Sequence, residues 1–162
     1  MSQMNDLLDS LPQTGRVEWI GLSPEPRGEM RVVESAAARV GNGLEGDHHA
    51  ESAKPSKRQV TLIQAEHLPA VAGLCGLDEV RPEQLRRNVV VARINLLALK
   101  DRRFRVGEAL LEGTGPCVPC SRMEENLGPG GYNAMRGHGG ITARVVEPGV
   151  IRIGDAVRLE LE

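Results

Sequence analysis

One seven-residue pattern occurs twice in the C-terminal third of the chain, as Phe104-Arg-Val-Gly-Glu-Ala-Leu110 and again as Ile151-Arg-Ile-Gly-Asp-Ala-Val157. In each copy an alternating apolar stretch meets a glycine followed by an acid, and an apolar stretch resumes. Such a glycine lets a strand bend sharply, so the pattern predicts β-corners that curve or close a sheet. The composition points the same way. There are 19 glycines in 162 residues, well above the background of roughly 7%. They concentrate at 41–46, 113–115, 128–131 and 137–140. The apolar residues are almost all Ala, Val, Ile and Leu, because Trp19, Phe104 and Tyr132 are the only aromatics. Short strands are expected at 17–21, 30–34, 59–63, 89–91, 141–146, 150–153 and 157–161, with helical stretches at 64–74 and from Pro82. Glu147-Pro148-Gly149 reads as a hairpin turn. The expected fold is mainly β with a few short helices, an α+β chain whose curved sheet closes into a β-barrel. Residues 1–15 read as a polar N-terminal arm and 16–162 as one domain.

Several function classes are disfavoured by the same residues. The formal charge is −2, which gives no global field to attract nucleic acid or an anionic membrane. Aromatic scarcity removes the stacking platforms that single-stranded nucleic acid requires. No apolar run approaches the roughly 20 residues of a membrane span. The start of the chain lacks the charged and apolar regions of a signal peptide. Three cysteines do not make a disulfide framework, so a reducing cytoplasm is expected.

The segment most suited to chemistry is Gly113-Thr-Gly-Pro-Cys117-Val-Pro-Cys120-Ser121, a Cys-x-x-Cys inside a turn-rich loop. Three readings stay open: a dithiol redox pair, a share of a zinc site, or one exposed cysteine acting as nucleophile, persulfide carrier or soft-metal ligand. The β surroundings argue against the first. The lack of a second Cys-x-x-Cys or a His-x-His argues against the second. Prolines 116 and 119 make the loop rigid and ill-suited to core filling. Cys75 and His67 read as structural. In Gly46-Asp47-His48-His49 a carboxylate can orient an imidazole, or Asp47 can serve loop amides. Lys54, Lys57-Arg58 and Arg86-Arg87-Asn88 precede strands, where Arg can clamp an anion bidentately. All but three of the 20 basic residues are arginine. The loop around His138 carries little side-chain bulk, so a ligand could approach its backbone.

Taken in order, these segments resemble the MOSC domain, the module named after the C-terminus of molybdenum-cofactor sulfurases. The matching stretches are Gly46-Asp47-x-His49, Lys57 to Gln64, Leu85-Arg-Arg-Asn-Val-Val-Val91 and Ile94-Asn-Leu96. Phe104 to Glu108, Gly115-Pro-Cys-Val-Pro-Cys-Ser121, Gly139 to Val146 and Ile153-Gly-Asp155 complete the set. The resemblance covers about residues 16–160 and is to the small stand-alone bacterial members. It implies a barrel-like fold that binds the molybdopterin form of molybdenum cofactor, with a cysteine, here Cys120, that ligates the metal or carries sulfur. It places Arg87 and Asn88 near the cofactor and Thr114, Gly115 and Pro116 in the loop beneath it. Asp47, His49, Lys57, Arg58 and Ser121 join the expected cofactor-binding set. Cys117 departs from a single-cysteine pattern and could act as a resolving thiol. Two activities follow from the resemblance. One is reduction of a small N-hydroxylated substrate, with a separate electron donor because no flavin or iron–sulfur motif is present. The other is persulfide carriage from a pyridoxal-phosphate-dependent cysteine desulfurase.

Overall fold

A computed structural model of the chain describes residues 3–51 and 56–161. Helix α1 (Gln3–Asp9) precedes strands β1 (Gly15–Leu22), β2 (Arg31–Val33), β3 (Ser35–Arg39), β4 (Gly43–Leu44) and β5 (Val60–Gln64). Next come α2 (His67–Cys75), α3 (Pro82–Leu85), β6 (Val89–Ala92), β7 (Arg103–Val106) and β8 (Ala109–Pro116). The chain continues through α4 (Ser121–Leu127), α5 (Gly131–Met135), β9 (Ile141–Glu147), β10 (Gly149–Arg152) and β11 (Ala156–Leu159). Seven strands close into a mixed barrel in the order β1-β11-β7-β8-β9-β5-β6, and β6 pairs back onto β1. Strand β2 extends the sheet beside β1, and β10-β3-β4 form a small second sheet. The fold is therefore mostly β with short helices, as the glycine corners predict.

The one parallel pair in the barrel, β5 with β6, explains where the helices sit. Parallel strands are normally covered on both faces and read as unbroken apolar runs. Val89-Val-Val-Ala92 is such a run, and β5 and β6 are buried at every position. Val60, Leu62, Val89 and Val91 face the barrel interior, around the fully buried Phe104. Ile63 and Val90 face outward into a second cluster with Val71, Leu85, Met123 and Met135, which come from α2 to α5. The helices thus roof one side of the barrel, and the loops that join them to strands carry the chemistry-bearing residues. Among the described residues no helix is long and apolar enough to cross a membrane.

The two copies of the repeated pattern do different work. Around Gly107 (φ +54°) the chain makes a tight hairpin, with Val106 paired to Ala109. Around Gly154 (φ +95°) it leaves the small sheet and enters the barrel, because β10 pairs with β3 and β11 with β7 and β1. The corners pack on each other. Gly107 N–H donates to the Ala156 carbonyl at 3.1 Å, and a Cβ at Gly107 would lie 2.1 Å from Asp155 Oδ2.

The expected hairpin at Glu147-Pro148-Gly149 is not formed. β9 pairs with β8 and β5, and the turn instead hands the chain over to the small sheet. The partner of β10 is the alanine run 36–38, whose small side chains give no strong strand signal. The helix expected over 64–74 begins only at His67 and holds Pro69 in its first turn, where no intrahelical N–H is lost. Helices α4 and α5 form where the sequence analysis expects no helix, as two short segments parted by the glycines at 128–131.

Truncating the barrel's one core aromatic tests this packing. Phe104→Ala should lower the unfolding free energy by about 3–5 kcal/mol, read as a lower urea midpoint with an unchanged m value.

Candidate functional site

Residues 117–120 form the loop that leads from β8 into α4. The two cysteines face opposite ways. Cys117 is 2% exposed, and its N–H donates to the Gly140 carbonyl at 2.9 Å. Cys120 is exposed, and its carbonyl accepts from Met123 N–H at 3.0 Å as the helix begins. The loop's surroundings are thus not purely β, since a helix follows Cys120 directly. Gly139 and Gly140 let the loop before β9 touch its neighbours backbone to backbone. A Cβ at Gly139 would sit 2.0 Å from the Cys117 carbonyl, and one at Gly140 (φ +85°) would sit 1.9 Å from the Leu62 carbonyl. The close approach expected around His138 is therefore made at 139 and 140 by the protein's own backbone.

Asn88 ties this region to the barrel. Its Oδ1 accepts from Thr61 N–H at 3.0 Å and from Thr61 Oγ1 at 3.2 Å. Its Nδ2 donates to the Gly21 carbonyl and to Asp47 Oδ1, both at 3.1 Å. Asp47, 1% exposed, also accepts from Ser23 N–H at 2.7 Å. Asp47 therefore does serve a loop amide. Among the described side chains an imidazole beside it is that of His48, whose Nδ1 lies 3.9 Å from Asp47 Oδ2 and 2.9 Å from the Ser23 carbonyl.

The two arginines before Asn88 diverge. Arg87, 3% exposed, donates through Nε to the Gly139 carbonyl and through one terminal nitrogen to the Leu85 carbonyl, each at 2.9 Å. Its other terminal nitrogen reaches the Cys117 carbonyl at 3.5 Å. Burial pushes this guanidinium below its ordinary range, Arg58 adds to that, and charge on Cys117 or Cys120 opposes it. Arg86 has φ +58° and swings the other way, donating to the Gly28 carbonyl at 2.6 Å and to Ser23 Oγ at 2.5 Å. Burial lowers it first, then Arg122, while Asp47 and Cys120 act in the opposite sense. Arg122 donates to the Pro26 carbonyl at 2.8 Å, yet its Nε is buried without a hydrogen-bond partner among the described residues. Arg87 reaches the cysteine loop directly, Arg122 follows it in α4, Arg86 feels the charge of Cys120, and Arg58 stands near Arg87. Arg86 and Arg122 line a cleft of about 440 Å³ together with Arg27, Glu29, Glu83 and Asn126.

The remaining expected residues are dispersed. Thr114 Oγ1 donates to the Lys57 carbonyl at 2.7 Å and lies 2.8 Å from Thr142 Oγ1. Thr114 and Lys57 border a separate hollow with Glu112 and Arg144, whose ion pair holds the Glu112 carboxyl below its usual value. Gly115 is buried, with its carbonyl near Thr142 Oγ1, and Ser121 is the exposed first residue of α4. Lys54 and the side chain of His49 lie outside the described residues. Pro116 and Cys117 line a second cavity of about 380 Å³ that also involves Gln64, His67 and Leu96. Sequence reasoning missed Arg122 and the pairing of His67 with His138. Arg122 follows Cys120 by two residues but its contact with Pro26 is long-range, and only folding brings His67 to His138. Cys75 packs against the helical cluster, where burial and then Glu124 push its thiol up. Among the described residues no three His, Cys, Asp or Glu side chains gather to hold a metal.

A MOSC domain family model matches residues 45–158. The chain belongs to the MOSC domain family. Some members of that family bind molybdenum cofactor. Similar solved structures include the YuaD protein of Bacillus subtilis, at 19% identity and TM-score 0.76, covering 92% of this chain and 97% of that one. YiiM of Geobacillus stearothermophilus matches at 16% identity and TM-score 0.73, over 91% of this chain and 75% of that one. YiiM of Escherichia coli matches at 19% identity and TM-score 0.69, over 91% and 70%. At these identities the likeness shows the fold. No curated protein sequence matches. Within this MOSC domain the cysteine loop, the Leu-Arg-Arg-Asn segment and the glycine pair stand as one connected unit.

Two substitutions test that connection. Asn88→Ala strands buried groups on Thr61, Gly21 and Asp47, and should cost on the order of 3 kcal/mol in chemical denaturation. Gly140→Ala puts a Cβ against the Leu62 carbonyl in a left-handed backbone. It should destabilise by more than the roughly 1 kcal/mol of an ordinary glycine replacement and raise hydrogen exchange at Cys117 N–H.

Proposed function

We propose that this MOSC domain binds the molybdopterin form of molybdenum cofactor through Cys120 and reduces small N-hydroxylated compounds. The observation that carries this reading is the setting of Cys120. It is an exposed soft ligand on a proline-bounded loop, near enough to Arg86 and Arg87 for its charge to act on both, and two residues before Arg122, whose buried Nε–H has no partner among the described residues. A thiolate suits a soft metal centre, and arginine suits a cofactor that ends in phosphate. The cleft of about 440 Å³ beside Arg86 and Arg122 lies within the usual range for small-molecule sites. Cys120 would hold the metal, and Arg86 and Arg122 the anionic end. Arg87 and Asn88 would act from beneath, keeping the Cys117 and Gly139 backbone in place.

When bound, the cofactor supplies two-electron redox chemistry at its metal. The net reaction takes an N-hydroxylated amine, two electrons and two protons to the amine and water, as the N–O bond breaks. The electrons come from a separate donor protein, and the protein's side chains orient the substrate beside the cysteine loop. Elemental analysis of protein made with cofactor synthesis intact should find about one molybdenum per chain and none in Cys120→Ser. Wild-type protein free of molybdenum would overturn the reading.

A second reading rests on the same exposure of Cys120. Its thiolate could take the terminal sulfur from a desulfurase persulfide, leaving the desulfurase cysteine as thiolate and Cys120 as persulfide. Incubation with a pyridoxal-phosphate-dependent desulfurase and free cysteine should then add about 32 Da, one sulfur atom, at Cys120. An unchanged mass removes this alternative.

A further inference from the structure

His67 opens α2, and His138 sits in the loop between α5 and β9, 71 residues later. Their rings meet edge to face, with centroids 4.8 Å apart and an interplanar angle of 87°. The Nδ1 atoms are 3.5 Å apart. At that separation a direct hydrogen bond between the two rings is at its long limit. The separation is close to the span of two imidazole nitrogens on one tetrahedral metal. Two bonds of about 2.0–2.1 Å at that angle place the nitrogens about 3.3–3.4 Å apart.

From this geometry we infer that His67 and His138 form a two-histidine chelate for a divalent first-row transition ion. Two neutral imidazoles are ligands that Ni²⁺, Cu²⁺ and Zn²⁺ all accept. The backbone holds both residues in place: His67 begins a helix, and His138 N–H donates to the Met135 carbonyl at 2.8 Å. Glu66, the neighbouring carboxylate, is already engaged. Its Oε1 accepts from Gln64 Nε2 at 2.7 Å and its Oε2 from Arg93 N–H at 2.9 Å. It therefore stands behind the pair as an electrostatic support and not as a third ligand. Burial, and then any charge on His138, push His67 below the ordinary imidazole value, while Glu66 opposes them. The cavity of about 380 Å³ gives room for the remaining coordination positions. His67 lines it, as do Gly137 and Gly139, which bracket His138. Solvent or a small donor molecule in that cavity completes the coordination sphere. The inference is independent of molybdenum at Cys120.

The test uses untagged protein freed of metal with a chelator, and Zn²⁺ alone as the probe. Calorimetry at pH 7.5 should show one tight site per chain. His67→Gln and His138→Gln should each weaken it at least about tenfold, or 1.4 kcal/mol, while His48→Gln leaves it unchanged. Equal affinity in the wild type and both chelate variants, or a loss seen only in His48→Gln, would overturn the proposal. A second readout needs no variant. Adding Zn²⁺ to the wild type should shift the imidazole ¹⁵N resonances of His67 and His138 together, and resonances that stay fixed would refute it.

Discussion

Most of the candidate site depends on one buried side chain. Asn88 is 3% exposed and spends both ends of its amide inside the protein, on Thr61 of β5, Gly21 of β1 and the Asp47 carboxylate. Each partner is itself buried, so an unsatisfied group here would cost a full desolvation penalty. Because the register of Asn88 is so tightly held, the two residues before it have no freedom to exchange roles. Arg86 leaves toward Ser23 and Gly28, and Arg87 leaves toward Gly139 and Cys117. The basic surroundings of the cysteine loop are therefore a consequence of a hydrogen-bond junction in the barrel wall.

The loop is held from its other side by glycine. At 139 and 140 two carbonyls occupy the space a side chain would take. The Cys117 N–H can then pair with Gly140, while Arg87 bonds the Gly139 carbonyl. This arrangement leaves Cys117 inside and Cys120 outside, which separates a buried thiol from one able to meet a cofactor or a partner. The guanidiniums near Cys120 suit an anionic ligand or a thiolate. The same glycine loop carries His138 to His67, so the backbone contacts that hold the cysteines also assemble the histidine pair.

The parts of the fold that were legible in the sequence are those whose signal is local. The run 89–92 reads as a buried strand because it has no polar alternation, and the glycine–acid corners read as bends because glycine there takes positive φ. The turn at 147–149 misled because its composition says that the chain reverses but not which strand receives it. The alanines at 36–38 give no strong strand signal, yet they pair with β10. In the site, Cys120, Arg87 and Asn88 were visible through their spacing and the family resemblance. Arg122 and His67 were not, because each sits in an ordinary helix and gains its meaning from residues far along the chain.

The sequence by itself determined the class of fold, the family and the loop that bears the cysteines, since periodicity, glycine placement and short motifs act over a few residues. Tertiary structure decided which cysteine is exposed, which way each arginine points and which histidines meet. The physical reason is that those outcomes rest on hydrogen bonds and backbone contacts between segments 23 to 71 residues apart, and no local pattern encodes such pairings.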